Sequence, residues 1–139
     1  NGFRLDAETD IIERLDGTLY AIQRYEMCYS VSDDNGETWS PSLSVGFHGS
    51  CPYLFRASNN VVVMALREES QTTIRISLDD CNTWSGSIVV DNVAGAYPSI
   101  VQRNDGTYLI LYYEEGNGSN IRARCFSLDG DGNVTWNLL

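Results

Sequence analysis

Short apolar runs alternate along this chain with clusters of Gly, Asn, Asp and Ser. The segments "SIVQR", "VVVMAL", "TYLILYY" and "SIVV" are brief and rich in β-branched or aromatic side chains, the signature of strands. Asp16-Gly17 and Asp105-Gly106 each sit between two such runs, which is the strongest short hairpin signal. No stretch keeps a helical period for three turns. The pattern predicts twelve strands and an all-β fold. In the last third of the chain they fall at about residues 97–103, 107–113, 120–127 and 134–138.

The pattern also repeats. "SDDNGETW" at residues 32–39 and "SLDDCNTW" at 77–84 share Ser-x-Asp-x-x-x-Thr-Trp and lie 45 residues apart. A worn third copy is read in "SLDGDGNVTW", residues 127–136, with two extra residues in its turn. "GSCPYLFRASNNVVVMALREE" lays over "GAYPSIVQRNDGTYLILYYEE" without a gap, so that Pro52 meets Pro98 and Arg67 meets Tyr113. "ERLDGTLYAIQRYE" joins the same frame from its Asp-Gly onward and brings Arg24 to the place of Tyr113. A period near 45 is typical of four-stranded propeller blades. Three are expected, at about 7–46, 50–92 and 96–139.

In each copy the Ser-x-Asp stretch joins the third strand to the fourth. Ser and Asp side chains bond the backbone of their own turn. Gly36 supplies a backbone conformation closed to most residues, and Thr and Trp are expected to open the next strand, with the indole folded back over the hairpin. Ser32, Asp34, Gly36, Thr38 and Trp39, with Ser77, Asp79, Thr83 and Trp84, therefore read as architecture. Cys81 stands in the place of Gly36. Its presence suggests that the second turn takes another form, because a Cys at positive φ is strained.

Ser-x-Asp-x-Gly-x-Thr-Trp is the Asp-box, or bacterial neuraminidase repeat. Together with "YPSIVQRNDGTYLILYYEE" it makes nearly the whole chain resemble the sialidase superfamily and its non-enzymatic relatives. The resemblance implies a β-propeller of sialidase type, usually six-bladed, of which this chain holds three blades, half a ring. Three blades leave the flanks of the first and third uncovered. The expected answer is a homodimer whose two-fold axis is the propeller axis. An excised half of a longer protein and an open three-sheet sandwich remain alternatives.

The resemblance also implies a site. Sialidases clamp a substrate carboxylate with three Arg, and use a Tyr nucleophile activated by Glu and an Asp general acid. Here Arg24 and Arg67 stand as clamps, Tyr113 with Glu114 as the Tyr–Glu pair, and Tyr97 and His48 near the central mouth. The set is incomplete. "FRLD" has Asp6 where the Arg-Ile-Pro signature has Pro, and no separate Asp is placed as the acid. A carbohydrate-binding or scaffolding module is therefore preferred. A glycoside hydrolase of exo-sialidase type, active as a dimer or within a longer enzyme, is the alternative.

Composition narrows the partners. Nineteen acidic residues face nine basic ones, all Arg, for a net charge of −10. Such an excess argues against nucleic acid or anionic membrane as a partner. Cys28, Cys51, Cys81 and Cys125 are widely spread, and with one His they make a zinc site improbable. Four free thiols are preferred over two disulfides, since a core of this size needs no staples. "DGDGN" at 129–133 lacks the Gly and the late Glu of a calcium loop. No metal or cofactor is implied, and a glycan is the expected ligand.

Overall fold

The computed structural model describes residues 8–24, 26–116 and 120–139. Arg4, Leu5 and Asp6 lie outside the described residues. Those described form twelve strands in three antiparallel sheets, each a meander of four. The first sheet runs β1 (Thr9–Glu13), β2 (Leu19–Gln23), β3 (Cys28–Ser32) and β4 (Leu43–Ser44). The second runs β5 (Ser50–Arg56), β6 (Val62–Glu68), β7 (Gln71–Ser77) and β8 (Ile88–Asp91). The third runs β9 (Gly95–Gln102), β10 (Tyr108–Glu114), β11 (Ile121–Leu128) and β12 (Val134–Asn137).

The sheets pack face to face, with the second in the middle and the leading strands β1, β5 and β9 side by side. Tyr20 and Ile22 of β2 meet Leu54, Val62, Met64 and Leu66 of the second sheet. The opposite face of that sheet, with Val63, Ala65 and Ile74, meets Ile100, Ile110 and Phe126 of the third. A sheet covered on both faces needs an unbroken apolar strand, and β6 supplies one.

Both Ser-x-Asp turns close through their own side chains. Asp34 Oδ1 accepts from the Thr38 amide at 2.8 Å and from the Ser32 hydroxyl at 2.8 Å, while Ser32 Oγ accepts from the Gly36 amide at 2.9 Å. Asp79, Thr83, Ser77 and Cys81 repeat the set at 2.8, 2.9 and 2.9 Å. Trp39 Nε1 folds back to the Gly36 carbonyl at 3.1 Å. Trp84 instead turns to the first sheet, with its Nε1 3.4 Å from the Tyr20 hydroxyl.

Three details differ from expectation. Cys81 does not force another turn: its φ of 72° matches the 90° of Gly36, and Asp80 at 60° matches Asn35 at 59°. The side-chain hydrogen bonds dictate the turn, and burial of the thiol among Tyr20 and Met64 offsets the strain. The third turn carries no insertion. Asn133 takes the place of Thr38, donating to both carboxylate oxygens of Asp129 at 2.8 Å, so Val134 and not Trp136 follows it. The fourth strands of the first two sheets also begin later than Thr-Trp. Ser40 and Ser85 hydroxyls accept from Val31 and Ile76 amides at 2.9 Å, taking the place of backbone carbonyls and postponing the ladder.

The four cysteines are free thiols, with Cys51, Cys81 and Cys125 buried. No helix among the described residues is long and apolar enough to cross a membrane. No group of three His, Cys, Asp or Glu among them is placed to hold a metal ion.

Candidate functional site at the start of the leading strands

Glu8, Cys51 and Tyr97 each lie nine residues before an equivalent hairpin residue, Gly17, Asn60 and Gly106. These three hairpin residues have φ of 86°, 67° and 84°, so the frame is structural as well as sequential. Pro52 and Pro98 follow two of the site positions. A proline has no amide to give to the ladder, and the pairing of β5 with β6 slips between Ser50 and Tyr53 as a bulge. Cys51 and Tyr97 sit there with left-handed φ of 53° and 47°. Such strain persists only where surrounding structure enforces it, and it gathers at functional sites. Glycines precede both. A Cβ on Gly49 stands 2.6 Å from Leu66 Cδ1, and one on Gly95 stands 2.1 Å from Thr72 Oγ1.

The three equivalent side chains converge on one carboxylate. Glu8 Oε2 accepts from the Cys51 amide at 2.7 Å. Glu8 Oε1 accepts from the Cys51 thiol at 3.4 Å and the Tyr97 hydroxyl at 3.3 Å. Arg24 Nη1 stands 3.3 Å from the same oxygen. Beside this, Arg67 pairs with Glu115 Oε2, and the Tyr113 hydroxyl donates to Glu115 Oε1 at 3.4 Å. The rings of Tyr97 and Tyr113 lie 6.0 Å apart at 32°. Tyr97 is 62% exposed, so its ring forms an open aromatic surface beside the partly exposed ion pairs.

Charge in the cluster is settled. Burial opposes ionisation of Glu8, but the Cys51 amide and thiol, Arg24 and Tyr97 together hold its carboxyl below the usual range. Arg67 does the same for Glu115 through its direct contact. Tyr97 is pushed above the usual phenol range by the charge of Glu8, and Tyr113 by burial and then Glu115. Burial pushes the Cys51 thiol up. The resting site therefore has two carboxylates, two guanidiniums, two phenols and a thiol.

A cleft of about 600 Å³ opens from Arg24 and Arg67 between the first two sheets, lined also by His48, Ser50, Glu69 and Gln71. The structure thus brings together Arg24, Arg67, Tyr97, Tyr113 and His48. Glu114 is placed elsewhere. It accepts from Arg122 Nε at 2.8 Å, and Arg122 also reaches Asp91 at 3.3 Å, so the carboxylate facing Tyr113 is that of Glu115. Glu8 and Cys51 were not singled out in the sequence. Carrying the three-copy frame back past Asp16-Gly17 identifies both.

No family model matches the chain, and no curated protein matches it in sequence. Solved structures do match. A protein of unknown function from Dyadobacter fermentans is 20% identical over 86% of this chain and 38% of its own, with a TM-score of 0.68. The GH43 protein BlXynB from Bacillus licheniformis is 11% identical over 94% of this chain and 31% of its own, at 0.67. An endo-1,4-beta-xylanase from Bacteroides thetaiotaomicron is 15% identical over 95% and 58%, at 0.56. The chain has a β-propeller-like fold. It spans between about a third and three fifths of these similar chains.

Proposed function

We propose that this chain is a carbohydrate-binding propeller module of Asp-box type, with its ligand on the cluster of Glu8, Arg24, Arg67, Tyr97 and Tyr113. One observation carries the reading. Equivalent positions of three sheets hold three different side chains, and these bond one another across the sheets instead of closing locally. An exposed tyrosine ring beside half-buried, charged hydrogen-bonding groups is the equipment that a sugar's apolar face and hydroxyls require. The names of the GH43 and xylanase neighbours accord with a carbohydrate ligand.

The geometry favours a sugar without a carboxylate. Both guanidiniums are already answered by Glu8 and Glu115. An arriving carboxylate must displace one of them from a partly buried pair and leave a charge uncompensated. A glycan array followed by calorimetry tests this. Uncharged glycans are expected to bind, and Tyr97→Ala to weaken them at least ~10-fold, about 1.4 kcal/mol, with the unfolding midpoint unchanged. Tighter binding of sialosides than of uncharged glycans would overturn the ligand class. Silence across the array leaves a scaffolding module.

A second reading, glycoside hydrolysis, is favoured by the Tyr113 hydroxyl resting on Glu115. In that reading Glu115 takes the phenol proton as the oxygen attacks the anomeric carbon and the glycosidic bond breaks, the leaving oxygen takes a proton from water, and a second water then releases the sugar from the tyrosine. Fluorogenic sialosides and xylosides test it: turnover abolished by Tyr113→Phe establishes an enzyme.

A further inference from the structure

The tyrosine platform and the cleft beside it are two different kinds of surface. Glu8 Oε1 lies 3.3 Å from the Tyr97 hydroxyl and 3.3 Å from Arg24 Nη1, and Arg24 lines the cleft. A single carboxylate therefore separates the exposed phenol from the mouth of the cleft. The ring offers an apolar face. The cleft, at about 600 Å³, has the size of a small-molecule site, yet among the described residues no Phe, Tyr or Trp lines it. It presents hydroxyl, imidazole, carboxylate and amide groups instead, from Ser50, His48, Glu69 and Gln71.

One wall is built before any ligand arrives. The Arg75 guanidinium lies over the Phe47 ring at 3.8 Å, which fixes the segment that carries His48. Arg75 donates to Glu68 Oε1 at 3.1 and 2.6 Å and to the Ser85 carbonyl at 2.8 Å. Glu68 Oε2 accepts from Thr73 and Ser87 hydroxyls at 2.6 Å, so the charge of Glu68 is answered inside the wall. Gln71 Nε2 donates to Asn92 Oδ1 at 2.8 Å, which orients the amide and leaves its carbonyl oxygen to accept. Glu69 stands apart. It opens the two-residue loop between β6 and β7 with φ of 52°, a place that favours Gly or Asn. Turn chemistry does not call for a Glu there, whereas an acceptor at the lip of the cleft does.

We propose, on the carbohydrate reading above, that the cleft takes the second unit of an oligosaccharide whose first unit stacks on Tyr97, and that hydrogen bonds with Ser50, Glu69 and Gln71 select which sugar that second unit is. Stacking accepts any sugar with an apolar face. A cleft built for hydroxyls leaves groups such as the buried Ser50 unpaired when a hydroxyl is misplaced, and so discriminates. A preformed wall also avoids the loss of affinity that ordering a loose one entails.

Titrations followed by amide NMR, which reads millimolar binding, test this with the one-, two- and three-unit β-1,4 series of xylose, glucose and mannose. At least one disaccharide is expected to bind ~10-fold or more tighter than its monosaccharide. It is also expected to shift the Ser50 and Gln71 amides, which the monosaccharide leaves in place. Glu69→Gln and Gln71→Ala are each expected to shrink that ratio to ~3-fold or less, while Tyr97→Ala weakens mono- and disaccharide alike. Equal affinity for one unit and two, or a ratio indifferent to both cleft substitutions, overturns the role of the cleft and leaves the platform standing. No binding by any of these sugars removes the platform and the cleft together.

Discussion

The Ser-x-Asp turns and the leading-strand cluster are both made of carboxylates, hydroxyls and backbone amides, yet they are organised in opposite ways. In the turns, Asp34 and Asp79 accept only from residues within four positions along the chain. The same side chains recur at the same places, because each turn solves the same local problem. In the cluster, Glu8 accepts from residues 43 and 89 positions away, and the equivalent places hold Glu, Cys and Tyr. Repetition marks what every sheet needs for itself. Divergence among equivalent places marks what the sheets make together.

The largest expected effect breaks the support beneath the cluster. Gly95→Ala puts a methyl 2.1 Å from Thr72 Oγ1 and 2.8 Å from Tyr112 Cδ2, against buried side chains that cannot withdraw. A loss of about 3 kcal/mol is expected, the upper end for overpacking, measured by urea unfolding. A change under about 1 kcal/mol would show that the contact between the second and third sheets yields easily.

Next comes a contrast among the turns. Asp79→Ala removes an acceptor for Ser77 and for both the amide and hydroxyl of Thr83, beside the buried Cys81 and half-buried Trp84. About 2 kcal/mol is expected to be lost, from several hydrogen bonds at near 1 kcal/mol each. Asp129→Ala acts on an exposed turn whose Ser127 hydroxyl instead accepts from Asn137 at 2.8 Å, so less than about 1 kcal/mol is expected. Equal losses from the two would erase the distinction between an intact Ser-x-Asp turn and its worn copy.

The sheets and the two Ser-x-Asp turns were legible in the sequence because they rest on local rules: alternation, hairpin residues and self-bonding side chains. Asp34, Thr38 and Trp39 bond as their order along the chain implies. The cluster was half legible. Arg24, Arg67, Tyr97 and Tyr113 follow from the repeat, but nothing local reveals that Tyr113 meets Glu115 and not Glu114. Strand alternation decides it: Glu114 leaves β10 on the side of Arg122. Glu8 was hidden for the opposite reason, since its partners come from two other sheets and its own copy of the repeat looks ordinary. Asn133 shows a third limit, for an amide replaces the Thr hydroxyl and a motif written in residue names passes over it.

A smaller effect follows from acid. Asp34 has its carboxyl held down to about 2, from 3.8, by the Thr38 hydroxyl and amide and the Ser32 hydroxyl. Asp79 is lowered as well: burial opposes its charge, but Thr83 and Ser77 outweigh it. Carboxyls lowered in the folded state add stability that is complete above their unfolded values and is lost as pH falls through roughly 4 to 2. Unfolding midpoints are expected to be flat above pH ~5 and to drop below it. Thr38→Val, which removes a donor to Asp34, brings its folded value closer to the unfolded one and should make that drop shallower. A drop unaltered in Thr38→Val would take Asp34 out of the account.

The smallest expected effect is the sharpest test of how the second turn is held. Cys81 has the φ of a glycine but the burial of a core residue. Cys81→Ala keeps the strain and gives up the thiol's contacts, for a loss of about 1 kcal/mol. Cys81→Gly gives up slightly more contact but relieves a left-handed conformation that costs a side chain about 1 kcal/mol. The Gly variant is therefore expected to equal or exceed the Ala variant in stability, reversing the order found at ordinary strand positions, where Gly is the weaker by ~0.5–1 kcal/mol. If Gly proves the weaker here too, the hydrogen bonds of Ser77 and Asp79 do not impose the turn, and the thiol's packing against Tyr20 and Met64 is what sets Cys81 in place.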